Sequence, residues 1–316
     1  MPFVAEQVRS ILHQTLPPSE LVVSDDASTD GTVSKVREIV DRFRAERPTS
    51  PLAFVVLKNP EPLGVTANFE QAVRACTGDL VALSDQDDVW MPDRLRAVVR
   101  EFAARPRLTL LHSDARLVDE AGAPIAHTLA EAIEFTASEQ RQEHEGNSFD
   151  LLLKRNVVTG ATTVFRRELL AHAIPFPDTW VHDEWLAMIA SVTGQVDFLP
   201  EQLIDYRQHS SNQIGARKPT LGDRLGRLQE PRIERNRRLT ARAESLVDRL
   251  VELEEVPDRA LQSARRKWEH EKARSALPAS RIRRLIPVLR AAVAGRYRRF
   301  GRTRYDILRD LLQPAR

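Results

Sequence analysis

A chain of 316 residues with 42% hydrophobic and 29% charged side chains is globular in balance and long enough for one large α/β domain with an appendage. Its net charge of +2 conceals an asymmetry, because residues 1–216 hold 20 Lys and Arg against 32 Asp and Glu, and residues 217–316 hold 27 against 13. One cysteine, Cys76, excludes a disulfide framework, and no run approaches the ~20 apolar residues of a membrane span or the apolar core of a secretory signal, so a cytoplasmic protein is expected.

Val4, Val8, Ile11 and Leu12 share one face of a helix within residues 3–14. Residues 20–24 (ELVVS) read as a buried strand, and Asp30-Gly31 marks the start of a helix over 32–43. A strand over 52–57 and a helix over 65–75 repeat the pattern. The strand over 80–83 runs into Ser84-Asp85-Gln86-Asp87-Asp88, Pro92 opens another helix, and residues 108–111 are strand-like again. This alternation predicts an α/β domain on a mainly parallel sheet. Residues 117–141 are polar and show no clear period. A short helix over 149–154, a strand over 161–165, a helix over 182–192 and two short strands within 196–206 complete the first region. From Arg217 the strand signals stop and Arg-rich helical patterns take over, broken near Pro257, Pro278 and Pro287. The expected division is therefore 1–216 and 217–316.

Two strand ends carry carboxylates. Asp25 and Asp26 follow Val22-Val23-Ser24, and adjacent acids repel where a helix cap needs only one, which points to a ligand; one of them can accept a hydrogen bond from a pyrimidine imide N–H. Asp30, with Ser28 and Thr29, is explained by turn and cap chemistry alone. At the second strand end, Asp85 and Asp87 alternate and can converge on one hard divalent cation, Mg²⁺ or Mn²⁺, beside a diphosphate; the opposing reading is a solvated loop capping the Pro92 helix.

Later in the chain, Asp183 and Glu184 open a helix between Trp180 and Trp185. Acidic residues there suit the helix dipole, which is sufficient for Glu184. The flanking indoles suggest a sugar-stacking wall and make Asp183 a candidate general base. Tyr206-Arg207-Gln208-His209 offers a guanidinium for phosphate and an imidazole for metal, although a lone histidine is as often structural.

In order, V-S-D-D-A-S-T-D-G-T, A-L-S-D-Q-D-D-V-W-M-P-D-R-L, V-H-D-E-W and Y-R-Q-H-S-S-N resemble the family-2 inverting glycosyltransferases of the GT-A fold. Among these the likeness is to bacterial rhamnosyltransferase-like members of polysaccharide and O-antigen pathways, and it runs from residue 3 to about 216. Val157-Val158-Thr159-Gly160-Ala161 is similar to the family's strand entry near the acceptor. The resemblance implies a metal-dependent enzyme that moves a sugar from a nucleoside diphosphate to a glycan or lipid-linked acceptor. Asp26 would read the base. Asp25, Asn68, Asp85, Gly160 and Arg207 would contact the nucleotide sugar, Asp87 would be the principal metal ligand, with Asp85 and His209, and Asp183 would deprotonate the acceptor. The family's first strand, with its Thr/Ala-Tyr-Asn-type loop, is not found, so a start upstream of Met1 is expected. A nucleotidyltransferase or a non-catalytic scaffold of an assembly complex are the rival readings. Runs such as Arg281-Ile282-Arg283-Arg284 and Arg296-Tyr297-Arg298-Arg299-Phe300 suit either docking on an anionic membrane at its inner face or a solvated appendage paired with the acidic region. No reading motif accompanies the charge, so nucleic acid is not an expected partner.

Overall fold

The computed structural model of the chain describes residues 3–209, 231–301 and 304–314. It divides into two compact units, Met1–Gly146 with Val158–Arg217, and Asn147–Val157 with Lys218–Arg316. The boundary expected near residue 216 lies outside the described residues.

The first unit opens with helix α1 (Val4–Leu12), strand β1 (Glu20–Asp25) and helix α2 (Thr32–Glu46). On α2, Val36, Ile39, Val40 and Phe43 recur at the spacing that puts them on one stripe, and all four are buried. Each contributes about 1.5–3 kcal/mol over exposure to water. Together with Val8, Ile11 and Leu12 of α1 they form a continuous core with Leu21 and Leu52. Strand β2 (Ala53–Lys58) pairs in parallel with β1, from Glu20 opposite Ala53 to Asp25 opposite Lys58. Helix α3 (Val65–Ala75) follows.

The remaining strands make a second, curled sheet in the order β3-β7-β5-β8-β4, with β6 on β5. These are β3 (Leu80–Ala82), β4 (Val89–Trp90), β5 (Leu108–Val118), β6 (Pro124–Thr128), β7 (Thr163–Arg166) and β8 (Gln195–Arg207). The sheet is mixed rather than mainly parallel: β5 and β8 run in parallel, while β3 with β7, β7 with β5, β6 with β5 and β4 with β8 are antiparallel. β5 lies between β7 and β8 and is buried along nearly its whole length, which is why it reads as an apolar run at Leu108–Leu111. Where two short strands were expected within 196–206, β8 is one long strand whose register against β5 shifts near Ser113 and Asp114. Helices α4 (Arg94–Ala104), α5 (Leu129–Ala132), α6 (Ala137–His144), α8 (Leu170–Ala173) and α9 (His182–Thr193) complete this unit, with α7 (Ser148–Leu152) belonging to the other.

The second unit is helical among the described residues. Besides α7 it contains α10 (Arg232–Glu252), α11 (Asp258–Ser275), α12 (Arg281–Val293), α13 (Arg296–Phe300) and α14 (Arg304–Leu312). Ala243, Leu246, Val247 and Leu250 form the buried stripe of α10, and Leu277, Val288 and Tyr297 a second apolar cluster. Much of the rest of its interior is ionic. Arg274 bridges Glu271 at 2.9 Å and Asp310 at 2.6 Å, and Asp310 also accepts from the Tyr297 hydroxyl at 2.7 Å. Buried Arg284 donates to the carbonyls of Pro278, Ala279, Asp310 and Gln313, and buried Arg232 to those of Arg274, Leu277 and Pro278. Several arginines are thus consumed in satisfying the helix ends of their own unit.

Candidate active site

Between β3 and β4 the chain turns through Asp85, Gln86, Asp87 and Asp88. Two parts of the fold hold this turn. From α1, Ser10 Oγ accepts from Trp90 N at 3.0 Å, and just past the helix Gln14 donates to the Met91 carbonyl at 2.8 Å while accepting from Leu95 N at 3.0 Å. From the end of β8, Arg207 Nε donates to the Asp87 carbonyl at 2.8 Å, and its backbone N–H to Asp88 Oδ1 at 2.9 Å. The same guanidinium reaches the Glu120 carbonyl at 3.0 Å and Glu6 at 2.8 Å, over the Phe3 ring at 4.6 Å. Phe3 also stacks on His209 at 5.2 Å, and His209 Nε2 lies 2.8 Å from Asp87 Oδ2.

Asp183 arrives from the first turn of α9. Its Oδ2 accepts from Gly160 N at 2.7 Å and its Oδ1 from Glu184 N at 2.7 Å. A β-carbon on Gly160 would lie 3.1 Å from His182 Nε2 and 3.4 Å from Asp183 Cβ, so any larger residue here would press His182 or Asp183 aside by a few tenths of an ångström. Burial, then the charges of Asp87 and Asp183, push the Asp85 carboxyl up to about 7. The same carboxylates, after burial, raise the Tyr206 hydroxyl. Asp88 is raised well above its ordinary value, first by burial and then by Asp85, and its Oδ2 has no hydrogen-bond partner. Behind it Arg94 lies buried over the Trp90 ring at 3.9 Å, its three side-chain nitrogens without hydrogen bonds. Burial lowers Arg94 to about 9 against the opposing pull of Asp88.

Asp25, Asp26 and Asn68 sit in another network, where β1 and β2 end and α3 begins. Asp26 Oδ1 accepts from Leu63 N at 2.6 Å and from Asn59 Nδ2 at 3.1 Å, and Oδ2 accepts from Gly64 N at 3.0 Å. Although burial acts the other way, these donors hold the Asp26 carboxyl below its ordinary value. Asn68 Oδ1 accepts from Ser24 Oγ at 2.6 Å and from Asn59 Nδ2 at 3.1 Å, and its Nδ2 donates to the Ser24 carbonyl at 3.1 Å. Asp25 is buried and accepts from Ser28 N at 3.2 Å, an ordinary turn-closing bond. Asp30 caps Thr32, 2.6 Å from its hydroxyl.

Two expectations need correcting. Trp180 and Trp185 are both buried, 5.6 Å apart, and Trp185 Nε1 donates to the Ala173 carbonyl, so the indoles belong to the core and not to a sugar-facing wall. Arg207, expected at a phosphate, is buried with Nε, Nη1 and Nη2 all engaged within the fold, and it braces the acidic turn instead. Phe3, Arg94 and His182 also take part here, and none was expected to. The His182 ring is buried, stacks on Phe69 at 3.7 Å, and has no hydrogen-bond partner at either nitrogen; burial lowers it to about 3, so it is neutral. In H-D-E-W the acids carry the recognisable signal, and the imidazole beside them does not.

Among the described residues, no three His, Cys, Asp or Glu side chains form a metal centre by themselves. Asp87 and His209, 2.8 Å apart, would offer two ligands to a hard divalent ion shared with substrate, with Asp85 adding charge, since such ions fill their remaining positions with phosphate oxygens and water.

Comparison with known proteins agrees with this geometry. The model of the family described as "Glycosyl transferase family 2" matches residues 2–173. An uncharacterized protein of Mycobacterium tuberculosis is 30% identical over 197 residues, which are 61% of this chain and 51% of that protein; the chain thus spans about half of this relative. The dTDP-rhamnosyl transferase RfbG of Shigella flexneri is 24% identical over 229 residues, 68% of this chain and 71% of its own. A mannosyltransferase of Pyrobaculum calidifontis, solved with GDP-Man and Mn²⁺, superposes with a TM-score of 0.52 at 21% identity, covering 98% of this chain and 81% of the other. That likeness shows the fold, which is GT-A.

Proposed function

The chain belongs to glycosyl transferase family 2, and on that premise we propose that it transfers a sugar, with rhamnose the first candidate, from a nucleoside diphosphate to a glycan or lipid-linked acceptor, with inversion. The synthesis would serve a cell-surface polysaccharide and take place on the cytoplasmic side. One observation carries the reading: Asp85, from the end of β3, feels the charges of both Asp87 and Asp183, although Asp183 comes from a helix about a hundred residues later. Like charges crowd in this way where a cation or a proton transfer makes use of them.

In this reading Asp26 and Asn68 receive the base, Asp25 fixes the turn that carries them, and Asp85 lies by the ribose. Asp183 takes the proton of the acceptor hydroxyl as its oxygen bonds to the anomeric carbon, and the bond to the diphosphate oxygen breaks on the opposite face. The Gly160 N–H holds Asp183 in line for that transfer. Asp87 and His209 would hold Mg²⁺ or Mn²⁺, with Asp85 adding charge, and the ion when bound neutralises the departing nucleoside diphosphate. Arg207 keeps the acidic turn in place.

The test is release of nucleoside diphosphate from a panel of donors, dTDP-rhamnose included, with Mn²⁺ or with chelator. Release that needs the cation and disappears in Asp183→Asn is expected. A folded chain that releases none under any condition would be a scaffold, and one that makes pyrophosphate from a nucleoside triphosphate and a sugar phosphate would be a nucleotidyltransferase.

A further inference from the structure

Helix α12 buries one face and leaves an apolar one outside. Its inner side is fixed by Val288, in a cluster with Leu277 and Tyr297, and by Arg284, which is bonded to four backbone carbonyls. With that side held, the helix cannot roll its opposite side inward. On the opposite side Ile282, Leu285, Ile286, Leu289 and Val293 are 79%, 45%, 63%, 54% and 89% exposed. At about 100° per residue these five positions fall within an arc of roughly 100°, a stripe and not a scatter. Isolated exposed apolar side chains need no explanation, but a continuous helical stripe does.

The edges of the stripe are cationic. Exposed Arg283 and Arg290 lie along one border and exposed Arg281 along the other. Residues 281–300 carry seven arginines and no acidic residue, and of the seven only Arg284 is buried. Arginines beside an apolar face can lie along it and raise their guanidinium groups to a phosphate plane above. Among the described residues no helix is long and apolar enough to cross a membrane. An apolar stripe between arginine borders is instead the pattern of a helix lying in an interface.

We propose that α12 docks the protein on an anionic lipid bilayer, with Ile282, Leu285, Ile286, Leu289 and Val293 entering the acyl boundary and Arg281, Arg283 and Arg290 meeting lipid phosphates. The absence of any acid from 281–300 favours an anionic lipid surface over a second copy of this helix, which would oppose arginine to arginine. The proposal does not depend on sugar transfer, since binding is read without donor or acceptor and either reading can fail alone.

The experiment is co-sedimentation of the full chain with vesicles of phosphatidylcholine alone and of phosphatidylcholine mixed with phosphatidylglycerol. Binding to the mixed vesicles is expected, with little to the neutral ones, and 0.5 M salt (on the order of three times physiological ionic strength) should weaken it. The Ile286→Glu/Leu289→Glu variant should bind at least ~10-fold more weakly and melt like the parent, because both positions are exposed. The Arg283→Gln/Arg290→Gln variant should bind about 10-fold more weakly and with less dependence on salt, which keeps the test open if the glutamate variant fails to fold. No binding of the parent to either vesicle would overturn the proposal, and so would equal binding of parent and variants. A parent that is dimeric in solution, becomes monomeric on Ile286→Glu/Leu289→Glu and ignores vesicles would assign the stripe to self-association instead.

Discussion

Asp85 of the first unit and Glu271 of the second are both carboxylates crowded by protein, yet their environments drive them in opposite directions. Glu271 lies between Lys267 at 2.7 Å and Arg274 at 2.9 Å, and although burial acts the other way, those cations hold it at about 2. Asp85 faces Asp87 and Asp183, and burial plus their charge pushes it to about 7. The helical unit closes its electrostatics internally. The first unit leaves them open, an arrangement that suits a ligand able to complete it. The contrast separates a charge cluster that stabilises from one that awaits a partner.

The largest blow to the comparison should come from Asp87→Ala. If Asp87 holds the ion as proposed, its loss should cut cation-dependent nucleoside diphosphate release by about 10³-fold, or roughly 4 kcal/mol of barrier, while the melting temperature holds. Next is Arg274→Met, which strands Asp310 without its cation and leaves Glu271 with Lys267 alone; denaturant unfolding should show a loss of about 3–5 kcal/mol, with turnover per folded molecule unchanged. Gly160→Ala should follow, because the new methyl displaces His182 or Asp183. Turnover should fall ~10- to 100-fold with donor affinity kept, read as kcat against KM.

The smallest effect is also the sharpest. Asp85 holds its proton to about 7 when folded, against an ordinary value near 4, so without divalent cation its contribution is complete below about pH 4 and declines as pH rises through 7. Melts in chelator should therefore show Asp85→Asn gaining on the parent by about 2 kcal/mol between pH 5 and pH 8. Glu271 behaves in reverse. Its pairing is fully present above about pH 5 and is lost as pH falls toward 2, so Glu271→Gln should be costly at pH 7 and lose most of its penalty near pH 2. Parallel trends in the two units would dissolve the distinction.

What the sequence disclosed follows from how local each signal is. Helix α3 was expected over 65–75 and spans Val65–Ala75, since a glycine before its first residue and a helical period need no distant partner. The four carboxylates Asp25, Asp26, Asp85 and Asp87 were legible because each follows an apolar strand. The stretch 117–141 was not, as its order rests on polar contacts. Its helices α5 and α6 start in capping boxes at Thr128 with Glu131 and at Thr136 with Glu139, a spacing that is itself visible in the sequence. The second half of β5 was missed because His112, Ser113 and Asp114 are polar, and they are buried only because partners such as Glu143, 3.1 Å from His112, come from elsewhere. The mixed pairing of the sheet likewise depends on which strands meet, and a strand's own composition does not record its neighbour.

Arg207 has a consequence for how this chain can diverge. One planar fork joins Glu6 near the start, the Asp87 carbonyl in the acidic turn and the Glu120 carbonyl beyond β5. A lysine offers a single nitrogen and would abandon two of those three acceptors. Relatives that replace this arginine should therefore also differ at position 6, as a coordinated drift between positions 201 residues apart in the chain.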